Sequence, residues 1–239
     1  MTPGIHPPGF RLPDSTKLGR VRLQVADLAR SLAYYHQVLG FRVLHQASDT
    51  AMLGSDDAIP LVELRAVAGS APARGKLGLY HFAILLPERA ALGRFLAHIA
   101  AIGKEIGTAD HLVSEAAYLR DPDGLGIEVY ADRPRETWRA NGAELAMGTI
   151  PLNIPDLIES GAEEPWTGMP RGTTVGHVHL HVGDLDRAAG FYHAALGFTK
   201  MVWGYPGALF VAAGGYHHHL GLNTWAGPHA SPPETTDAR

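Results

Sequence analysis

The feature that most constrains this chain is an internal repeat. Val21 to Phe41 (VRLQVADLARSLAYYHQVLGF) and Val178 to Phe198 (VHLHVGDLDRAAGFYHAALGF) align without a gap and share 11 of 21 residues. Self-similarity of this kind means that one supersecondary unit is used more than once. In each copy Val21, Leu23 and Val25, or Val178, Leu180 and Val182, alternate with other residues at the period of a strand. Asp27 or Asp184 stands where a helix N-cap belongs. Leu28, Leu32, Tyr35 and Leu39, or Leu185, Ala189, Tyr192 and Leu196, then recur at helical spacing, and Gly40 or Gly197 ends the run. Three strand-like segments follow each copy: FRVLHQ, TAMLGS and PLVELRAV after the first, FTKMVW, ALFVAAGG and HHLGLNTW after the last. Each unit therefore reads βαβββ.

The middle of the chain carries a more divergent copy. LGLYHFAILL reads as a strand. Glu88 to Ile102 is amphipathic, with Leu92, Phe95, Leu96, Ile99 and Ile102 on one face, and stops at Gly103. AAYL and GIEVYAD read as strands joined by the turn residues Asp121-Pro122-Asp123-Gly124. The expected fold class is α+β, with tandem βαβββ modules at 18–68, 77–131 and 174–225 forming mixed sheets. Around them lie an arm (1–17), a linker (132–173) and a Pro-containing tail (226–239) expected to be disordered. On this division 18–131 forms a first domain and 174–225 a second, truncated one. Arg133-Pro134-Arg135 reads as a solvated loop.

Composition narrows the function. Net charge is −4 and no run of Lys or Arg occurs, which argues against a nucleic-acid or membrane-surface partner. No apolar stretch approaches the roughly 20 residues of a membrane helix, and the start lacks an apolar signal-peptide centre, so the expected location is cytoplasmic. With no cysteine, disulfides, thiolate ligands and thiol nucleophiles are excluded. Any metal must be held by His, Asp or Glu, and there are 14 histidines to choose from.

VADLARSLAYYHQVLGF and VGDLDRAAGFYHAALGF resemble the opening of modules in the vicinal oxygen chelate superfamily, which holds glyoxalases, bleomycin-resistance proteins and extradiol dioxygenases. The resemblance implies that modules pair into a cup and that metal ligands come from their first and last strands. The first strands offer Arg20, His81 and His177; the last offer Glu63, Glu128 and the run His217, His218, His219. A guanidinium has no lone pair to give a metal, so the first module lacks a ligand at Arg20, and a salt bridge to Glu63 is the expected use of that pair. The remaining set, His81, Glu128 and His177, is the two-histidine, one-carboxylate triad of non-haem Fe(II) oxygenases.

HLVSEAAYLRDPDGLGIEVY further resembles the extradiol ring-cleavage signature, with His111, Tyr118, Asp121, Pro122, Gly124 and Glu128 in order, departing at Ala109 and Ala117. The resemblance makes Glu128 the iron carboxylate, Tyr118 a hydrogen-bond partner of the substrate oxygens and His111 a further active-site hydrogen-bonding residue. GGYHHHLGLN resembles the strand with the acid–base histidine; His218 aligns best with it, and His217 or His219 takes that role if the register shifts by one. The nearest family is that of catechol 2,3-dioxygenase-like proteins, here with modules in reversed order, which implies pairing of the second module with the third.

The implied function is an Fe(II)-dependent extradiol dioxygenase, with Mn(II) able to use the same donors, acting on a catechol-type aromatic diol and O₂ as a homo-oligomer. Two other readings stay open: a glyoxalase-like lyase or epimerase using Zn, Ni or Mn, and a non-catalytic binder of aromatic drugs. His179 and His181 share the strand face of His177 by alternation and are placed to line the pocket or orient a ligand. His36 and His193 recur at one helix position in both repeats, which points to architecture.

Overall fold

The computed structural model describes residues 3–73 and 75–239. The first module consists of β1 (Val21–Val25), α1 (Leu28–Gln37), β2 (Arg42–Gln46), β3 (Thr50–Gly54) and β4 (Pro60–Ala66). After the short β5 (Ala71–Pro72), the second holds β6 (Gly78–Leu85), α2 (Arg89–Ala101), β7 (Gly107–Asp110), β8 (Ser114–Arg120) and β9 (Gly126–Asp132). The connection contains a two-strand ribbon, β10 (Ala140–Asn141) and β11 (Glu144–Leu145), and α3 (Ile154–Glu159). The third module is β12 (Thr174–His181), α4 (Leu185–Ala189), β13 (Thr199–Val202), β14 (Ala208–Ala212) and β15 (Leu220–Asn223), followed by β16 (Asp237–Ala238).

The repeated residues do the same jobs twice. Asp27 and Asp184 cap their helices by accepting from Arg30 N at 2.9 Å and Arg187 N at 2.7 Å. His36 and His193 each give Nδ1–H to the carbonyl five residues on, at Phe41 and Phe198, which ties the helix end to the next strand. One difference separates the copies. The helix expected to run on to Leu196 is α-helical only to Ala189 and continues as a π-helical turn over Gly190–Ala195.

The sheets place the site. β1-β4-β3-β2 form a four-stranded sheet within the first module. The other two modules share one eight-stranded sheet, β13-β14-β15-β12-β6-β9-β8-β7, joined by antiparallel pairing of β6 with β12. The largest apolar core is shared differently: Leu23, Tyr35 and Phe41 of the first module pack with Phe82, Leu92 and Phe95 of the second. Phe198, Leu209, Val211 and Leu222 form a separate core under the third.

Two loops are more ordered than their composition implies. The tail runs back along the first module: β16 pairs with β5, Gln24 N donates to Arg239 O at 2.7 Å and Arg239 N to Gln24 O at 2.9 Å. The free edge of β1 offers unpaired backbone groups, and the tail satisfies them. Arg133 is not left to solvent but pairs with Asp110 at 2.7 Å and with buried Glu115 at 3.1 Å. Among the described residues no helix is long and apolar enough to cross a membrane.

Candidate metal centre

Strand register assembles the centre. His179 on β12 faces His81 on β6, while Ala83 on β6 is flanked by His177 of β12 on one side and Glu128 of β9 on the other. Alternation puts these side chains on one face of the sheet. Because the residue between them is alanine, the imidazole of His177 and the carboxylate of Glu128 can meet above it. His177 Nε2 lies 3.0 Å from Glu128 Oε2, and His81 Nε2 lies 3.1 Å from the same oxygen. One nitrogen from each of His81, His177 and His179 lies within 4.8 Å of the others. His179 stacks on His81 with ring centres 4.4 Å apart and 16° between planes.

The electrostatics suit a cation. Glu128 is only 2% exposed. Burial works to raise its carboxyl, but the hydrogen bonds and charge of His177 and His81 hold it well below the usual carboxylate range. Burial pushes the His177 imidazole down to about 4, against the pull of Glu128, and pushes His179 well below its ordinary value. Neutral imidazoles are the form that gives lone pairs to a metal. His177 Nδ1, His179 Nδ1 and His218 Nε2 are buried without a hydrogen-bond partner, and His81 Nε2 has only the Glu128 carboxylate beside it, at 3.1 Å. Unsatisfied buried polar atoms are costly and rare; partnerless nitrogens on His177 and His179, in a group of three imidazoles, fit a site built to hold an ion.

A cavity of about 390 Å³ opens beside this cluster, lined by His81, His111, Tyr118, Glu128, His179 and His218 on its polar side and by Tyr80, Met147, Tyr205, Phe210 and Trp225 elsewhere. Tyr118 faces Glu128 across β8 and β9, and its hydroxyl lies 2.6 Å from His111 Nε2. His111 is steered by its other nitrogen, which donates to the Gly148 carbonyl at 2.8 Å. Burial, with the nearby Glu128 charge, raises the Tyr118 phenol well above its ordinary range and keeps it protonated.

A model of the Glyoxalase/Bleomycin resistance protein/Dioxygenase superfamily matches residues 17–129, and one of a Bleomycin resistance protein-like N-terminal region matches 174–200. The chain is 48% identical over 230 residues to a Catechol-2,3-dioxygenase of Bacillus subtilis (strain 168), covering 94% of this chain and 80% of that protein. This chain belongs to the glyoxalase/bleomycin resistance/dioxygenase superfamily. With a dioxygenase relative this similar over nearly its whole length, it is an enzyme of the dioxygenase type. Two solved structures share the superfamily fold. A candidate dioxygenase from Bacillus subtilis subsp. subtilis str. 168 superposes with a TM-score of 0.59 at 13% identity, over 89% of this chain and 65% of that one. The V278E mutant of glyoxalase I from Zea mays gives 0.51 at 20% identity, over 93% and 70%.

The structure brings His81, Glu128 and His177 together and sets His111, Tyr118 and His218 along the cavity. Arg20 and Arg22 both pair with Glu63, at 3.1 and 2.8 Å, so the first module holds an ion-pair cluster at the equivalent place. His181 lies outside the cavity and bonds Asn223 Oδ1 at 2.6 Å. His179 is inside it and buried, and it is grouped with His81 and His177, one nitrogen of each within 4.8 Å of the others, where Glu128 is the expected third ligand. Its signal in the sequence is the two-residue spacing from His177. Asp132 carries no such signal; it contacts His217 Nε2 at 2.9 Å.

Proposed function

We propose that this chain is an Fe(II)-dependent extradiol dioxygenase that opens a catechol-type diol beside its hydroxyl-bearing carbons with O₂. The observation that carries the reading is the Glu128 carboxylate oxygen approached by two imidazole Nε2 atoms at 3.0 and 3.1 Å, at the wall of a cavity that also holds Tyr118 and His218. His81, Glu128 and His177 would hold the metal, with donors that suit Fe(II) and also Mn(II). Bound there, a divalent iron supplies Lewis acidity toward the diol and a site for O₂.

The protein's own groups do the rest. The aromatic walls exclude water and hold the ring flat. Tyr118 would turn its single O–H from His111 Nε2 to a substrate oxygen as charge develops there. His218 takes a proton from the diol and returns one later. The cavity is open to a small aromatic diol and to O₂. The reading also takes the chain as a cytoplasmic homo-oligomer.

The test is anaerobic loading with iron, then catechol or 4-methylcatechol with air. A yellow ring-opened product is expected. A fully loaded protein that gives no product with any diol would overturn the proposal, and turnover of a methylglyoxal–thiol adduct would favour a lyase instead.

A further inference from the structure

Beside the ligand cluster a second chain of polar contacts runs from near the surface to the cavity. β9 carries Glu128, Tyr130 and Asp132 on one face. Asp132 Oδ1 lies 2.9 Å from His217 Nε2 and accepts from the Tyr216 hydroxyl at 3.2 Å. His217 Nδ1 lies 2.7 Å from His218 Nδ1. The far nitrogen, His218 Nε2, is buried without a partner in a residue that lines the cavity.

For two neutral imidazoles the carboxylate sets the direction of these bonds. A carboxylate only accepts, so a neutral His217 gives Nε2–H to Asp132 and keeps a lone pair on Nδ1. That lone pair receives Nδ1–H of His218, whose buried Nε2 is then left unprotonated. We propose that Asp132 and His217 are positioning residues that hold His218 in its Nδ1–H tautomer, presenting a proton-accepting Nε2 to the substrate diol. The proposal rests on the reading of His218 as the acid–base residue.

The surroundings are built to hold this chain. A β-carbon at Gly176 would sit 1.8 Å from the Tyr130 hydroxyl oxygen. Glycine there lets that hydroxyl reach Tyr216 at 2.6 Å, and Tyr216 in turn holds Asp132. The Tyr216 ring also packs on His217, with centres 4.0 Å apart, which restrains the imidazole from turning over. Satisfying a buried histidine requires only one acceptor; it does not require two imidazoles in series ending on a free nitrogen at a cavity wall.

Histidine ¹⁵N NMR on the full chain loaded with diamagnetic Zn(II) reads the tautomer directly. The parent protein should show His218 protonated on Nδ1; protonation on Nε2 in the parent overturns the proposal without any variant. Asp132→Asn offers an amide N–H to His217 Nε2, which reverses the chain and puts the proton on His218 Nε2. In the iron-loaded enzyme kcat for catechol should then fall on the order of 10²-fold or more, the usual scale for a general acid–base group, with KM and metal content unchanged. Asp132→Glu should restore part of the rate. An unchanged tautomer in Asp132→Asn, an unchanged kcat, or a rate that falls only in step with metal content or melting temperature overturns the proposal. His218→Ala separates the two claims. If it keeps parental activity, the acid–base reading itself fails; if it is inactive while Asp132→Asn is fully active, only the positioning chain fails.

Discussion

His177 and Glu128 come from strands that do not touch, yet Nε2 and Oε2 lie 3.0 Å apart because β6 between them presents only the methyl of Ala83. The contact therefore depends on both partners and on the small residue under it. His177→Ala should abolish metal retention, measured by elemental analysis after loading and desalting. It should also leave Glu128 buried with one hydrogen-bond donor fewer, a change that typically costs about 1–3 kcal/mol. The circular dichroism of the folded chain should be unchanged. A variant that keeps its full metal content would remove His177 from the ligand set.

Gly221 makes a comparable allowance for His179. It is the residue paired with His179 across β12 and β15, and a β-carbon there would lie 2.1 Å from His179 Nε2. Gly221→Ala should push the imidazole out of its stack on His81 and cost about 1–3 kcal/mol, as overpacking does. Urea denaturation reads the stability, and competition with a chelator reads the metal affinity. Weakened affinity would show that His179 supports the centre; loss of stability with affinity intact would confine it to packing.

The parts of this molecule that local pattern controls are legible in the amino-acid sequence. Asp27 and Asp184 act as caps, His36 and His193 make the same helix-end bond, and GIEVYAD is the strand Gly126–Asp132. His81, Tyr118, Glu128 and His177 can be placed for the same reason, since each sits at a fixed position on a strand, whereas His111 and His218 lie in the turns before β8 and β15. What escapes are relationships between distant segments. Asp132 and His217 are 85 residues apart and meet only because β6 and β12 join the modules. The tail reads as disordered because its composition says nothing about the open β1 edge that receives it. The π-helical turn after Ala189 is a change in hydrogen-bond step, from four residues to five, that leaves the apolar periodicity nearly intact.

Acid should weaken the fold before ordinary carboxylates titrate. Burial depresses His177 and His219 to about 4, and His179 and His218 well below their ordinary value. In the unfolded chain each returns to about 6.5. Between those values the unfolded state binds more protons than the folded one, so stability rises with pH across the window and is lost as pH falls through it. Bound metal should protect, because protons and cation compete for the same nitrogens. Urea midpoints of metal-free protein should drop clearly between about pH 7.5 and about pH 5, and less so for loaded protein. A flat profile would mean these imidazoles are already protonated or solvated in the native state.

The cavity wall sets which diols fit. Its non-polar side is built from Tyr80, Met147, Tyr205, Phe210 and Trp225, and among the described residues that line it none is Lys or Arg. At about 390 Å³ the space falls in the range of pockets that take ligands larger than a bare ring. An alkyl or aryl substituent can gain by burial there, at roughly 25 cal/mol per Å². A carboxylate substituent would lose its hydration with no cation to meet it. Methyl- and phenyl-substituted catechols should therefore have a kcat/KM at least about tenfold above that of 3,4-dihydroxybenzoate, a gap of roughly 1.4 kcal/mol. Trp225→Ala should raise KM for the phenyl compound more than for catechol itself, because only the larger substrate reaches that wall. Equal specificity for the carboxylated and phenyl substrates would show that the substituent projects out of the cavity and leaves this wall untouched.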